Sequence, residues 1–243
     1  MARLTGFVGD VTGKMGNMVA YTRRGVNLAR QYQPNVTNPN TKRQQRSRKL
    51  FSIAHGVVSA AAPAVVMGYA AVSPTYERQN CVGKLIETGA IGLNDDMTQI
   101  NIDWAQVPVS WGPLVPLRGE LVPNLETPEQ VKFPLTAEMI ADANCLIDGV
   151  TPINCLVFGV VVNPLMGDTV MSLIGYKSEL MQFSLHEGGI IRVPSSWSGE
   201  TVHVYAFCKQ SPTPKNGISM TTLPPRIRFR SSHASYLGEH TIG

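Results

Sequence analysis

The chain has 243 residues, 43% apolar and only 16% charged, with a formal net charge of +4. That length is enough to bury a real core, and so low a charge content with 22 Gly and 17 Pro excludes a coiled coil or a highly charged disordered chain. It suits a β-rich chain whose surface is largely covered by neighbours.

The charge is distributed in blocks. Residues 1–50 carry +9, residues 51–208 carry −9 and residues 209–243 carry +4. A basic N-terminal arm and a basic C-terminal segment thus flank an acidic body, an asymmetry that marks a charged partner surface. Two partners fit it: a nucleic acid, or the acidic body of the next copy in an assembly. Met1–Gly6 has no apolar h-region, so no signal peptide is expected. The longest weakly polar run, Val57 to Val72, is Ala-rich and interrupted by Pro63 and Gly68, short of the roughly 20 apolar residues a bilayer span needs. No membrane partner is expected.

Residues 1–37 read as a Gly-punctuated basic arm. Met18–Tyr21 and Val26–Arg30 are predicted strands, joined by a Thr22-Arg23-Arg24-Gly25 turn in which Gly25 supplies the positive φ. The arm has too few apolar residues for a core of its own and is expected to add to another sheet. Residues 38–80 read as helical. Thr41 and Gln44 fit a capping box, and Leu50, Ile53/Ala54, Val57/Val58 and Ala61 recur at helical spacing. Pro63 ends or kinks this helix, and a second is expected over about Ala64 to Tyr76. Lys42, Arg43, Arg46, Arg48 and Lys49 occupy its first turns, where cations oppose the macrodipole; an acidic partner or phosphate would compensate.

Residues 81–210 read as a β body. Ile100–Trp104 and Thr201–Phe207 alternate, Leu173–Tyr176 and Ile190–Val193 are further strands, and Cys155–Val162 is a continuous run that fits a strand covered on both faces. A short helix over Thr136–Asn144 is expected, with Thr136 as its cap. Strands separated by Pro, Gly and Asn turns predict an antiparallel, immunoglobulin-like β-sandwich. Residues 211–243 are Pro-rich, and Arg226-Ile227-Arg228-Phe229-Arg230 alternates as a strand with one basic face. The fold class expected is therefore α+β: mainly β with an α-helical N-terminal portion.

The search for chemistry is negative. Gly9 to Met15 resembles a phosphate loop, but the spacing is one residue short and Met15 replaces the hydroxyl. His55, His186, His203, His233 and His240 have no metal-binding spacing, and His203 is placed on the polar face of its strand. No G-x-S-x-G elbow occurs. Asp95-Asp96 follows Asn94 as a turn, and Cys81, Cys145, Cys155 and Cys208 include no C-x-x-C pair and read as reduced thiols. Asn35-Val36-Thr37 matches a glycosylation sequon by chance. Trp104 and Trp111 read as core anchors, with a carbohydrate-stacking pair as the alternative. No catalytic residues, cofactor, metal or small-molecule substrate are expected.

Gly13-Lys14-Met15-Gly16-Asn17-Met18-Val19, Tyr21, Arg23-Arg24-Gly25, Arg30, Asn38-Pro39-Asn40-Thr41, Gln44-Gln45, Arg48 and Phe51 form a pattern. It resembles the start of an uncharacterised protein family abundant in Bacteroidetes and their phages. Val204–Phe207 with Ser232, Ser235-Tyr236-Leu237-Gly238 resembles that family's last strands. The resemblance covers both ends and little of the middle. It implies a basic hairpin and helix followed by a β-sandwich, and no catalytic residues. A chain of this plan is also similar to the ring proteins that build the tail or neck of crAss-like phages, from which it departs by a long 211–230 insertion.

The resemblance implies a virion structural subunit, made in the host bacterial cytoplasm. It would form a homo-oligomeric ring beside other tail or neck proteins, with passing DNA as a possible weak contact. The assembly interface expected is Arg23, Arg24, Lys42, Arg43, Arg46, Arg48, Lys49, Arg226, Arg228 and Arg230. The alternative is a nucleic-acid-binding protein that uses the arm and helix, or a bacterial protein of another role.

Overall fold

A computed structural model describes residues 2–3, 12–23, 25–34, 39–69, 76–114, 116–117, 129–133, 155–176, 189–210 and 231–243. The helix expected over Thr136–Asn144 and the basic strand Arg226–Arg230 lie outside them, as does Arg24. The chain is mixed α and β with mostly antiparallel strands. It forms two compact units, Met1–Lys42 and Arg43–Gly243.

In the first unit, β1 (Ala2–Arg3), β2 (Gly13–Met15), β3 (Met18–Arg23) and β4 (Val26–Gln31) make an antiparallel sheet in the order β1-β4-β3-β2. The expected hairpin is β3–β4, with Gly25 at φ 71° in its turn. The stretch that resembles a phosphate loop contributes β2 instead. Gly16 at φ 57° turns the chain straight back into β3, with Lys14 opposite Val19.

The second unit opens with α1 (Lys42–Ala60), which buries Ala54, Val57, Val58 and Ala60. The chain then bends by 90° into α2 (Ala62–Tyr69). Pro63 lies in the first turn of α2, where its missing N–H costs nothing. α2 begins two residues earlier than expected and is described as far as Tyr69. A third helix, α3 (Glu77–Glu87), was not expected. It buries Cys81, Val82 and Leu85, and Glu77 in its first turn and Lys84 in its last complement the macrodipole. It crosses the predicted boundary between helical segment and β body. A small hairpin follows, β5 (Ile91–Leu93) with β6 (Ile100–Ile102).

The main sheet has the order β12-β11-β8-β9, from β8 (Cys155–Asn163), β9 (Asp168–Tyr176), β11 (Thr201–Gln210) and β12 (Ser235–Thr241). All three pairings are antiparallel. Gly238, at φ 128°, sits at a bulge opposite Val204. β11 alternates between two cores. Val202, Val204, Ala206 and Cys208 join Val157, Val161, Trp197 and Leu237 on one side. Tyr205 and Phe207 join Val160, Val162 and the helices on the other.

That second core joins the helical segment to the main sheet, a packing the sequence reading does not foresee. An immunoglobulin-like sandwich sets a second sheet against the first. Here one face of the main sheet is covered by α1–α3 and the β5–β6 hairpin. The other face meets a two-stranded ribbon, β7 (Gln130–Phe133) with β10 (Gly189–Arg192), which supplies Val131 and Ile191. Alternating apolar residues signal a covered face, and they read the same whether a helix or a strand covers it.

Two glycines allow a close crossing on the helix side. A Cβ on Gly68 of α2 would lie 2.6 Å from Ser110 Cβ, and one on Gly112 would lie 2.0 Å from the Ser231 carbonyl oxygen. Gly83 of α3, in contrast, faces open space. Gly68→Ala should therefore destabilise the protein by about 1–3 kcal/mol through overpacking. Gly83→Ala should stabilise it by about 0.5–1 kcal/mol through helix propensity. Urea denaturation of both variants checks this, and equal effects of the same sign would contradict the crossing.

Candidate functional site

The period of two in β2, β3 and β4 sorts the arm into two faces. Gly13 is paired with Ala20 and Ala20 with Ala29; Met15 is paired with Met18 and Met18 with Gln31. This face therefore holds methionines, alanines and small polar groups, including a 2.7 Å hydrogen bond from Thr22 Oγ1 to Asn27 Oδ1. Ala20 and Ala29 are the only buried apolar residues described in the arm, and Met15 and Met18 are 43% and 46% exposed.

The opposite face is basic and aromatic. Lys14 is paired with Val19 and Val19 with Arg30; Tyr21 is paired with Leu28 and Arg23 with Val26. One residue pair beyond Arg30 lies Tyr32, whose N–H donates to the Asn17 carbonyl at 2.7 Å. The Lys14 ammonium sits 3.9 Å from the centre of the Tyr32 ring. At an exposed site that cation–π contact is worth only about 0.5–1 kcal/mol. Beside it is a cavity of about 280 Å³ lined by Val19, Arg30, Gln31, Tyr32 and Gln33. Residues 12–34 contain no Asp or Glu. Of these basic residues the sequence reading placed Arg23 alone in its interface; grouping it with Lys14, Arg30 and Tyr32 takes the strand register.

On α1 the basic cluster divides. Arg46 donates to the carbonyl oxygens of Leu93 at 2.8 Å and Asn94 at 3.4 Å, and lies 3.6 Å from Asp95. Lys49 donates to the Met97 carbonyl. These two cations therefore hold the β5–β6 turn of their own chain, where carbonyl dipoles supply the compensation that the sequence reading assigned to a partner. Lys42, Arg43 and Arg48 are exposed. Arg226, Arg228 and Arg230 lie outside the described residues, as does Arg24.

Several carboxylates of the acidic body are likewise engaged within the chain. Glu87 accepts from Lys84 at 2.8 Å. Asp103 accepts from Ala105 N–H at 3.1 Å and Gln106 Nε2 at 2.7 Å, and Asp168 accepts from Thr169 N–H at 2.8 Å. These acids sit on separate turns and elements rather than in one patch.

The titratable groups of the interior are structural. His203, expected on a polar face, is buried beneath the helices' side of β11. Its ring stacks on Trp104 at 4.5 Å and its Nδ1 lies 3.2 Å from the Tyr236 hydroxyl. Tyr205 donates to the Trp104 carbonyl at 2.8 Å. Tyr69 and Cys81 both donate to the Pro108 carbonyl, at 2.9 and 3.4 Å. Burial pushes the Cys81 thiol up to about 12, so it is no thiolate nucleophile. Trp111 is flanked by His233 at 4.0 Å and by the Lys84 ammonium at 4.7 Å, so its ring already has partners within the chain. Among the described residues no group of three His, Cys, Asp or Glu could hold a metal ion. No single described helix is long and apolar enough to cross a membrane.

Arg46→Ala should cost about 1 kcal/mol, the net worth of its carbonyl hydrogen bonds at a half-exposed site, whereas Arg43→Ala should stay within about 0.5 kcal/mol. Denaturant midpoints decide between them. Burial holds the His203 imidazole below its ordinary value, with Glu239 pulling weakly the other way. His233 and His240 shift the same way through burial. The unfolded chain takes up these protons near pH 6.5 while the folded protein resists them to lower pH. Stability should be full above about pH 6.5 and fall as the pH drops below it. His203→Phe keeps a ring against Trp104 and should flatten part of that fall in denaturation series run across this range.

No family model, curated protein or solved structure matches the chain.

Proposed function

We propose that the chain is a structural virion protein: a subunit of an oligomeric ring in the tail or neck of a tailed bacteriophage. One observation carries the reading. The arm is a four-stranded sheet that exposes Met15 and Met18 beside its only described buried apolar residues, Ala20 and Ala29. Exposed methionines on a small sheet are an adaptable apolar surface. Its methionine face suits docking on a neighbouring copy, through a heterologous contact of the kind that closes rings.

The resemblance at both ends of the sequence supports the reading, and so does the low charge content. Leu165 and Met166, at the tip between β8 and β9 and 75% and 51% exposed, offer an apolar point for a neighbour. Complementary charge takes a smaller share than the block totals suggest, because Arg46, Lys49, Glu87 and Asp95 already serve their own chain. Lys42 and Arg43, both exposed, remain basic contributors from α1. The immunoglobulin-like sandwich belongs to the same proposal: the ribbon β7–β10 would begin its second sheet.

The test is the native mass of the full chain with negative-stain images of the same sample. A ring or large oligomer is expected, and Met15→Lys with Met18→Lys should weaken its assembly at least tenfold. Lys42→Glu with Arg43→Glu should weaken it less, and mainly at low salt. A wild type that stays monomeric at high protein concentration, alone and with phage tail or neck proteins, would overturn the proposal.

A further inference from the structure

We infer that the basic face of the arm is a binding track for single-stranded nucleic acid. The face is laid out in four rows along β3 and β4. Arg23 lies in the first, Tyr21 in the second, Arg30 and Lys14 in the third, and Tyr32 in the fourth. Successive rows on one face are two residues apart, so the track runs roughly 20 Å. Cation and ring alternate along it, which is the repeat of a single strand: phosphates for the cations, base faces for the rings. The inference concerns the face opposite the methionines, so it is independent of the assembly proposal.

Three observations favour a nucleic acid over the acidic surface of another protein. A carboxylate needs only the cations, whereas the aromatic rings on the same face serve planar bases. The cavity of about 280 Å³ on the arm is lined by Arg30 and Tyr32 among others, a cation and a ring side by side as a nucleotide requires. Among the described carboxylates, Glu87, Asp103 and Asp168 sit on separate elements and are held by their own chain. The Lys14 ammonium that covers Tyr32 is a weakly held lid. It can move onto a phosphate and free the ring for a base.

A duplex offers the phosphates but keeps its bases stacked, so a single strand is the better fit. Three cations on a single strand predict a slope of about −2 in log affinity against log salt. Affinity should then fall roughly 20-fold between about 50 and about 200 mM salt.

The experiment is fluorescence anisotropy of the full chain with a labelled single-stranded oligonucleotide of mixed sequence. Competitors are the unlabelled strand, the duplex and polyglutamate. Tyr32→Ala should weaken binding about tenfold or more with the salt slope unchanged. Tyr32→Phe should restore it. Arg30→Gln should weaken binding and make the slope shallower by about 0.7. Tyr32 and Arg30 are exposed, so these variants should keep the native mass and melting behaviour of the wild type. Loss of strand binding at unchanged native mass would separate this track from the assembly contact. Three results would each overturn the inference: no saturable binding at low salt, full affinity in Tyr32→Ala, or displacement by polyglutamate or duplex as effective as by the unlabelled strand.

Discussion

Seven consecutive residues of β11, Val202 to Cys208, are buried. A strand with no solvent face forces cover on both sides, and the rest of the second unit is arranged to provide it. Every polar group on that strand must also find a partner inside the protein. His203 meets Tyr236, Tyr205 reaches the Trp104 carbonyl, and the Cys208 N–H donates to Ser232 Oγ at 2.9 Å. Residues 231 and 232 are therefore part of the interior. Ser231 and Ser232 are fully buried, and Ser110 donates to the Ser232 carbonyl at 2.7 Å. Only glycine at 68 and 112 lets α2, residues 110–112 and residues 231–232 approach so closely.

Much of this was legible in residue order, and what was missed has a physical reason. Alternation marked β6 and β11, the Gly25 turn marked the hairpin β3–β4, short apolar runs marked parts of β9 and β10, and the unbroken run Cys155–Val162 marked β8 as a strand without a wet face. Thr41 and Pro63 marked the ends of α1 to within a few residues. α3 was overlooked because only Cys81, Val82, Leu85 and Ile86 show its apolar stripe, and no capping side chain announces it. The helical cover of the main sheet was not foreseen because the sequence shows that a face is covered without showing by what. Contacts between distant residues, such as Arg46 with the Leu93 carbonyl or Ser110 with Ser232, leave no local trace. For the candidate site, Arg23 was recognised as basic, but its grouping with Lys14, Arg30 and Tyr32 required the strand register.

The two units differ in what holds them together. The second is fixed by two apolar clusters that share one sheet. In the first, the described strands are joined by backbone pairing and sort their side chains onto two faces of opposite character. A one-residue slip in the register of β3 against β4 would exchange those surfaces. The turn glycines at 16 and 25, which set where each strand reverses, therefore govern recognition as much as shape.

The bridge between Lys209 and Ser231 has a consequence for how this protein can vary. The chain leaves β11 after Gln210 and re-enters the interior at Ser231, so twenty residues begin and end at neighbouring points. The closure cost of a segment held between fixed ends grows only with the logarithm of its length. The pairing of Lys209 with Ser231 would therefore tolerate a connection of different length at little cost in closure entropy.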